Sequence, residues 1–252
     1  MKILLTNDDG PSSTTLAPTV ELLESLGHEV VVVLPEKQRS ATGLARTYHK
    51  PLRVKRAGGY YLVNGFPADA VFLGLKLLAR DADLVISGVN IGENIGFESI
   101  YGSGTVAAAL QAGVLGYKAI ALSAEAGASL DLTLGVLRAA VEASEEWPPD
   151  LLAVSINVPA TWRGSIEAAR RPATHVFLEE LHNFIDPKGE PFYWRWGPRG
   201  DGFREDSDAY YFYVERAIVV MGLCATGVCA PGRFVESFKS AFKRAGLIGK
   251  RA

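Results

Sequence analysis

Histidine and cysteine, which supply most zinc sites and many activated nucleophiles, are scarce in this chain. The four histidines, His28, His49, His175 and His182, show no ligand spacing. Cys224 and Cys229 are separated by four residues, with no nearby histidine to complete a zinc box. They read as small buried apolar residues, not as a disulfide framework. No Ser-His or Cys-His pair is visible. No apolar run reaches the ~18 residues of a membrane span. The N-terminus reads as a strand followed by charges, not as a signal peptide. There is no basic excess either: 26 Lys and Arg stand against 28 Asp and Glu, a net charge of −2. That removes the footprint of a protein that binds a nucleic acid polymer. Internal repeats and low-complexity segments are absent. What remains is a globular protein, expected in a reducing cytoplasm, with neither membrane nor nucleic acid polymer as partner.

The chain is well supplied with apolar residues, 48% of its 252 positions, enough for a sizeable core. Lys2 to Thr6 reads as a short buried strand, and Ser12 to Thr15 can cap a helix running to about Leu26. Glu29 to Leu34 is a second strand without alternation, as a parallel strand buried on both faces should be. These three pieces form one βαβ unit. Residues 35–47 read as a polar loop. Short strands at Leu52–Val54 and Tyr60–Val63 flank Ala57-Gly58-Gly59 as a hairpin or meander. A helix opens near Pro67. Further strands are expected at Leu84–Ser87, Ala119–Leu122, Leu151–Ile156 and Ala217–Met221. Helices are expected at Val106–Leu115, Leu130 to about Trp147, and Pro231 to Ala245, the last ending in a basic tail. This predicts an α/β protein, a mostly parallel sheet flanked by helices. Residues 1–158 form its core, and residues 159–252 form a C-terminal segment with an aromatic arm at Tyr193–Gly197.

The strand ends carry the chemistry, because ligands of open α/β sheets bind at the carboxyl ends of the strands. Strand one ends in Asn7-Asp8-Asp9-Gly10-Pro11. Two adjacent carboxylates there fit either a polar turn or a hard-cation site. Strand two leads to Ser40, and the Leu84–Ser87 strand leads to Asn90 and Asn94. All are oxygen donors, which suits Mg²⁺, Mn²⁺ or Ca²⁺ better than Zn²⁺. Gly102-Ser103-Gly104-Thr105 then opens a helix, either as an ordinary cap or as a phosphate cradle. A carboxylate-held cation facing that helix start points to phosphoryl chemistry.

The residues TNDDG at 6–10, RSATG at 39–43, NGFPADAV at 64–71, SGVNIGENIG at 87–96 and SGTVAAA at 103–109 resemble the survival protein SurE family. The agreement runs in order through most of residues 1–125. The resemblance implies a Rossmann-like core with an extended C-terminal arm that is exchanged in a homodimer or homotetramer. It implies a metal-dependent phosphatase acting on nucleoside 5′- or 3′-monophosphates and on short polyphosphate. By the same resemblance, Asp8 and Asp9 are catalytic, and with Ser40 and Asn90 they hold one divalent metal ion per subunit, Mg²⁺ or Mn²⁺. Asn94, Ser103, Gly104 and Thr105 contact phosphate. Asp69 lies in a family motif, where it also suits a helix N-terminus. Phe66 stands where a small hydroxyl residue is usual, and Gly102 is an extra glycine before Ser103.

Three other classes fit less well. A haloacid-dehalogenase-type phosphatase needs its second aspartate two residues after the first. A receiver domain needs a phosphoacceptor aspartate where this chain has Ser87 to Asn90, and is about half this length. A dinucleotide-binding module needs a G-x-G-x-x-G after strand one.

Overall fold

The computed structural model describes residues 1–247. Its first strand, β1 (Lys2–Thr6), is followed by α1 (Leu16–Ser25) and β2 (Glu29–Pro35). Next come the hairpin β3 (Val54–Ala57) and β4 (Tyr60–Val63), then α2 (Pro67–Leu73) and β5 (Leu84–Ile91). Two consecutive helices, α3 (Phe97–Gly102) and α4 (Gly104–Val114), precede β6 (Ala119–Ala124), α5 (Leu130–Ala143) and β7 (Ala153–Val158). The C-terminal third holds β8 (Ile166–Ala169), the arm strands β9 (Glu180–Ile185) and β10 (Pro191–Trp196), β11 (Ile218–Cys224), β12 (Gly227–Cys229) and α6 (Arg233–Arg244). The basic tail expected at the C-terminus, Lys250 and Arg251, lies outside the described residues.

The main sheet runs β12-β11-β7-β6-β5-β1-β2-β4-β3, with β8 paired to β11. The run from β7 to β4 is parallel, β3 is antiparallel to β4, and β11 is antiparallel to β7 and β12 but parallel to β8. β1 lies centrally because its side chains serve both faces. Ile3 and Leu5 join one core layer and Leu4 the other, and all three are fully buried. The first layer packs α1, α5 and α6 and the second packs α2 and α4. This alternation into two apolar layers explains why β1 and β2 read as unbroken apolar runs.

The expected division at residue 158 is not a break in the sheet. β11 pairs with β7 from Val219↔Asn157 to Leu223↔Ala153, and α6 packs on α5. Among the described residues only the β9–β10 hairpin stands apart as a separate two-stranded sheet, every strand residue but His182 exposed. Its base is closed by Leu178 N to Pro198 O at 2.8 Å and Gly200 N to Val176 O at 2.9 Å. No described helix is long and apolar enough to cross a membrane.

Three local expectations change. Cys224 and Cys229 form a disulfide, because the chain reverses between them and brings their Cα atoms to 6.2 Å on the two arms of the β11–β12 hairpin. The hydroxyls at Ser12–Thr15 do not cap α1. Thr15 occupies the cap position but donates to Val89 O at 2.6 Å, fastening the helix start to β5. β5 also runs past Ser87 to Ile91. Gly88 permits this: its φ is +128°, and a Cβ there would meet Leu122 O at 2.3 Å.

Candidate active site

The turn after β1 is shaped by Asn7. Its amide nitrogen donates to Gly10 O at 3.1 Å and its oxygen accepts from Gly10 N at 2.8 Å. Gly10 has φ +76°, and a Cβ there would press on Pro35 O at 3.1 Å. This closed loop, built by the turn-forming residue types, displays Asp8, 4% exposed, and Asp9, half-buried, at the carboxyl edge of the sheet.

Asp8 meets α4. The Thr105 hydroxyl donates to Asp8 Oδ1 at 2.6 Å. Gly104 lets the helix approach, since a Cβ at that position would lie 2.8 Å from both Asp8 Cβ and Oδ2, and 3.0 Å from Arg39 O. The Arg39 N–H donates to Asp8 O at 2.6 Å, so the loop after β2 is fastened to the same turn. That loop carries Ser40, which is exposed, and its hydroxyl accepts from Gln38 Nε2 at 3.1 Å. The same Gln38 nitrogen reaches Asp9 Oδ1 at 3.5 Å. Gly43 N then donates to Gly102 O at 2.7 Å, which gives the extra glycine a role as the landing point of this loop on α3.

Asn90 reaches the edge through a bulge. Ser87 pairs with Ala121 but Asn90 pairs with Ser123, three residues of β5 against two of β6. The extra residue restores Asn90 to the face used by Ser87. That is the α4 side of the sheet, the side on which Asp8 meets Thr105. Its Nδ2 donates to Gly92 O at 2.6 Å, which leaves Oδ1 as an acceptor.

Of the four residues expected to contact phosphate, Ser103, Gly104 and Thr105 are consecutive at the start of α4 and Asn94 lies in the loop after β5, and they are not equally free. Ser103 caps α4 by accepting from Val106 N at 3.1 Å, and its own O–H remains a donor. Thr105 spends its hydroxyl on Asp8. Asn94 is buried; its Nδ2 donates to Ser123 Oγ at 2.7 Å and its backbone N–H to Asn157 Oδ1 at 2.7 Å. Gly104 begins α4, whose first N–H groups lack helical acceptors. Asp69 is occupied structurally: it accepts from Phe66 N at 2.9 Å, Thr47 N at 3.0 Å and Thr47 Oγ1 at 2.7 Å. It starts α2 and tethers the far end of the Ser40 loop. Phe66, the unusual residue of that motif, lies under the Arg39 guanidinium at 5.4 Å.

Sequence reasoning passed over Gln38, Ser123 and Asn157. Asn157 closes a strand as Asp8 and Asn90 do, and that position was its signal. Ser123 and Gln38 had no signal before the strand order was known.

Burial raises the Asp8 carboxyl above its ordinary value; the Thr105 hydroxyl opposes the shift and the Asp9 charge adds to it. Burial raises Asp9 too, against the Gln38 hydrogen bond. Among the described residues no Lys, Arg or His forms an ion pair with either. No cluster of three or more His, Cys, Asp and Glu exists among them either. Two adjacent carboxylates without a positive partner, on the sheet edge that also carries the Ser40 hydroxyl and the Asn90 amide, match the donor chemistry of a hard divalent cation.

Fold and site together define an α/β protein with an acidic, oxygen-lined edge facing a glycine-opened helix N-terminus. The chain belongs to the survival protein SurE family, whose model matches residues 3–178. It is 58% identical over 238 residues to 5′-nucleotidase SurE 2 of Pyrobaculum aerophilum, covering 94% of each chain. It is 38% identical to 5′-nucleotidase SurE of Thermofilum pendens, covering 90% of this chain and 92% of that one. The crystal structure of the SurE protein from Aquifex aeolicus superposes with a TM-score of 0.77 at 31% identity, covering 89% of this chain and 93% of that one.

Proposed function

We propose that this chain is a hydrolase that releases phosphate from nucleoside 5′-monophosphates with the help of one divalent cation. The observation that carries the proposal is the Thr105–Asp8 hydrogen bond, which joins the acidic pair to the start of α4. Relatives named 5′-nucleotidase support the class. Asp8, Asp9, Ser40 and Asn90 would hold the cation, Mg²⁺ or Mn²⁺. When bound, it supplies Lewis-acid polarisation of the phosphoryl group and offsets negative charge. The chain supplies the rest. The N–H groups opening α4 and the Ser103 hydroxyl face the phosphate oxygens, and Asn94 borders them. Thr105 holds Asp8 in place, and the Asn7 turn keeps both carboxylates on one edge. Nucleoside 3′-monophosphates and short polyphosphate belong to the same proposal. So does a homodimer or homotetramer built through the exposed aromatic arm, whose Tyr193, Trp194 and Trp196 are the kind of residue that interfaces bury.

The experiment is a phosphate-release screen over AMP, GMP, 3′-AMP and tripolyphosphate with Mg²⁺ or Mn²⁺. Release from a 5′-monophosphate that EDTA abolishes is the expected result. Full activity in EDTA would overturn the cation requirement, and no release from any nucleotide would overturn the substrate class.

A further inference from the structure

One buried carboxylate lies outside the proposed chemistry. Asp208 is 0% exposed and opens the helical turn that leads into the π-helical stretch Tyr210–Val214. It has no ion-pair partner among the described residues. Three backbone N–H groups converge on it instead. Ala173 N and Ala209 N donate to Oδ1, both at 2.7 Å, and Gly96 N donates to Oδ2 at 2.7 Å. Gly96 ends the loop that follows β5 and carries Asn94, and it stands at the cap of α3. The next residue, Phe97, donates its N–H to Ala173 O at 2.8 Å. The loop is therefore tied to the C-terminal segment at Gly96 and Phe97. It is tied to the neighbouring strands at Asn94, through Asn157 and Ser123.

A carboxylate is the short side chain that accepts on two oxygens while presenting no donor. Burying one costs several kcal/mol unless its lone pairs are met. That cost is borne here at a loop bearing a proposed phosphate contact. The packing is equally tight: Gly96 has φ +86°, and a Cβ there would come within 2.3 Å of Val176 Cγ2.

We propose that Asp208 is a positioning residue for phosphate binding: Oδ2 fixes Gly96, and Gly96 fixes the placement of Asn94. This rests on the nucleotidase reading of the site.

The two oxygens do different work, so Asp208→Asn is selective. The amide oxygen can keep the two N–H groups of Ala173 and Ala209. The amide nitrogen then faces the Gly96 N–H, donor against donor. The expected result is a rise of about tenfold or more in KM for AMP, and an equal weakening of inorganic phosphate binding read by calorimetry. The kcat should change less than about threefold, and the Mn²⁺ affinity should hold, because Asp8, Asp9, Ser40 and Asn90 are untouched. Gly96→Ala, which pushes the loop off Val176, should reproduce the pattern and decides the matter if Asp208→Asn fails to fold. Asp206→Asn, which removes an exposed partner of Arg171 and Arg204, should change none of these values.

Unchanged KM and phosphate affinity in the folded variant would overturn the inference, even with a lowered Tm, by showing Asp208 to be a brace only. Parallel loss of kcat, phosphate affinity and Mn²⁺ affinity would overturn it too, as a global disturbance. Wild-type protein that neither releases nor binds phosphate would fail at the nucleotidase reading itself.

Discussion

Thr105 and Asp8, 97 positions apart in sequence, share a 2.6 Å hydrogen bond between hydroxyl and carboxylate. Thr105→Val keeps the shape and deletes the donor. Loss of an outer partner of a ligand residue typically costs about 10- to 100-fold in activity or metal affinity. The bond itself accounts for about 1.5–3 kcal/mol of stability, being made to a charged group. The kcat/KM and a Mn²⁺ titration should therefore both worsen. A variant with wild-type values would show that Asp8 is positioned without Thr105.

Asp8→Asn and Asp9→Asn should each abolish nearly all phosphate release while the circular dichroism spectrum is kept. Stability moves in the opposite direction. Burial holds the Asp8 carboxyl above its ordinary 3.8, so the ionised form is disfavoured in the folded state. A raised folded value means stability is lost as pH climbs through it. In EDTA at pH 7, Asp8→Asn should melt no lower than wild type. Adding Mn²⁺ to about a hundred times its Kd should stabilise wild type by about 2.7 kcal/mol and Asp8→Asn hardly at all. A lower Tm for Asp8→Asn in EDTA would show that Asp8 braces the fold without a cation.

Gly104→Ala tests the close approach of α4. At an unconstrained helix start, alanine would be neutral or mildly stabilising relative to glycine. Here the added Cβ overlaps Asp8 at 2.8 Å, and overpacking of that kind costs about 1–3 kcal/mol. Reduced Tm and reduced activity together are expected. A stabilised, fully active variant would show that the turn after β1 has room to move.

The Glu125–Arg216 pair gives a second pH signature, of opposite sign. Both side chains are mostly buried, at 17% and 14% exposure. Burial opposes ionisation of Glu125, but the Arg216 guanidinium and the Ala160 N–H outweigh it and hold the carboxyl below its ordinary 4.5. A depressed value stabilises the fold above the unfolded-chain value, and the contribution is lost as pH falls through the folded one. Wild type should exceed Glu125→Gln by about 1–3 kcal/mol at pH 7, between the ranges for exposed and buried pairs. The difference should shrink steadily below about pH 4.5 in denaturant titrations. A gap that persists at pH 3 would assign it to packing instead.

The proposed assembly through the arm predicts that wild type runs as a dimer or tetramer in light scattering and that removal of residues 180–196, with a short turn in their place, leaves a folded monomer. An unchanged mass would locate the interface elsewhere.

The sequence was most informative where a single strand accounts for both structure and chemistry. Ile3 to Thr6 reads directly as a buried strand, whereas Asp8 and Asp9 taken alone fit a polar turn as well as a cation site. Asn90 was legible as a residue type and by family pattern, but not its route. The bulge at Gly88 depends on the close passage of Leu122, a contact between distant segments. Cys224 and Cys229 misled because four intervening residues say nothing about a reversal of the chain. Ser103 and Thr105 show a finer limit. Their hydroxyls look equivalent in sequence, yet one caps a helix and the other holds a carboxylate. Asp208 carries no local signature, because its three partners are backbone groups drawn from three stretches of the chain.

The arm leaves and rejoins the body at nearly one point, where Leu178 N meets Pro198 O and Gly200 N meets Val176 O. A hairpin mounted in this way is an interchangeable part. Lengthening, trimming or re-lettering it leaves the register of the main sheet untouched. The acidic edge at Asp8 and Asp9, built on β1 in the middle of that sheet, does not depend on the hairpin's sequence.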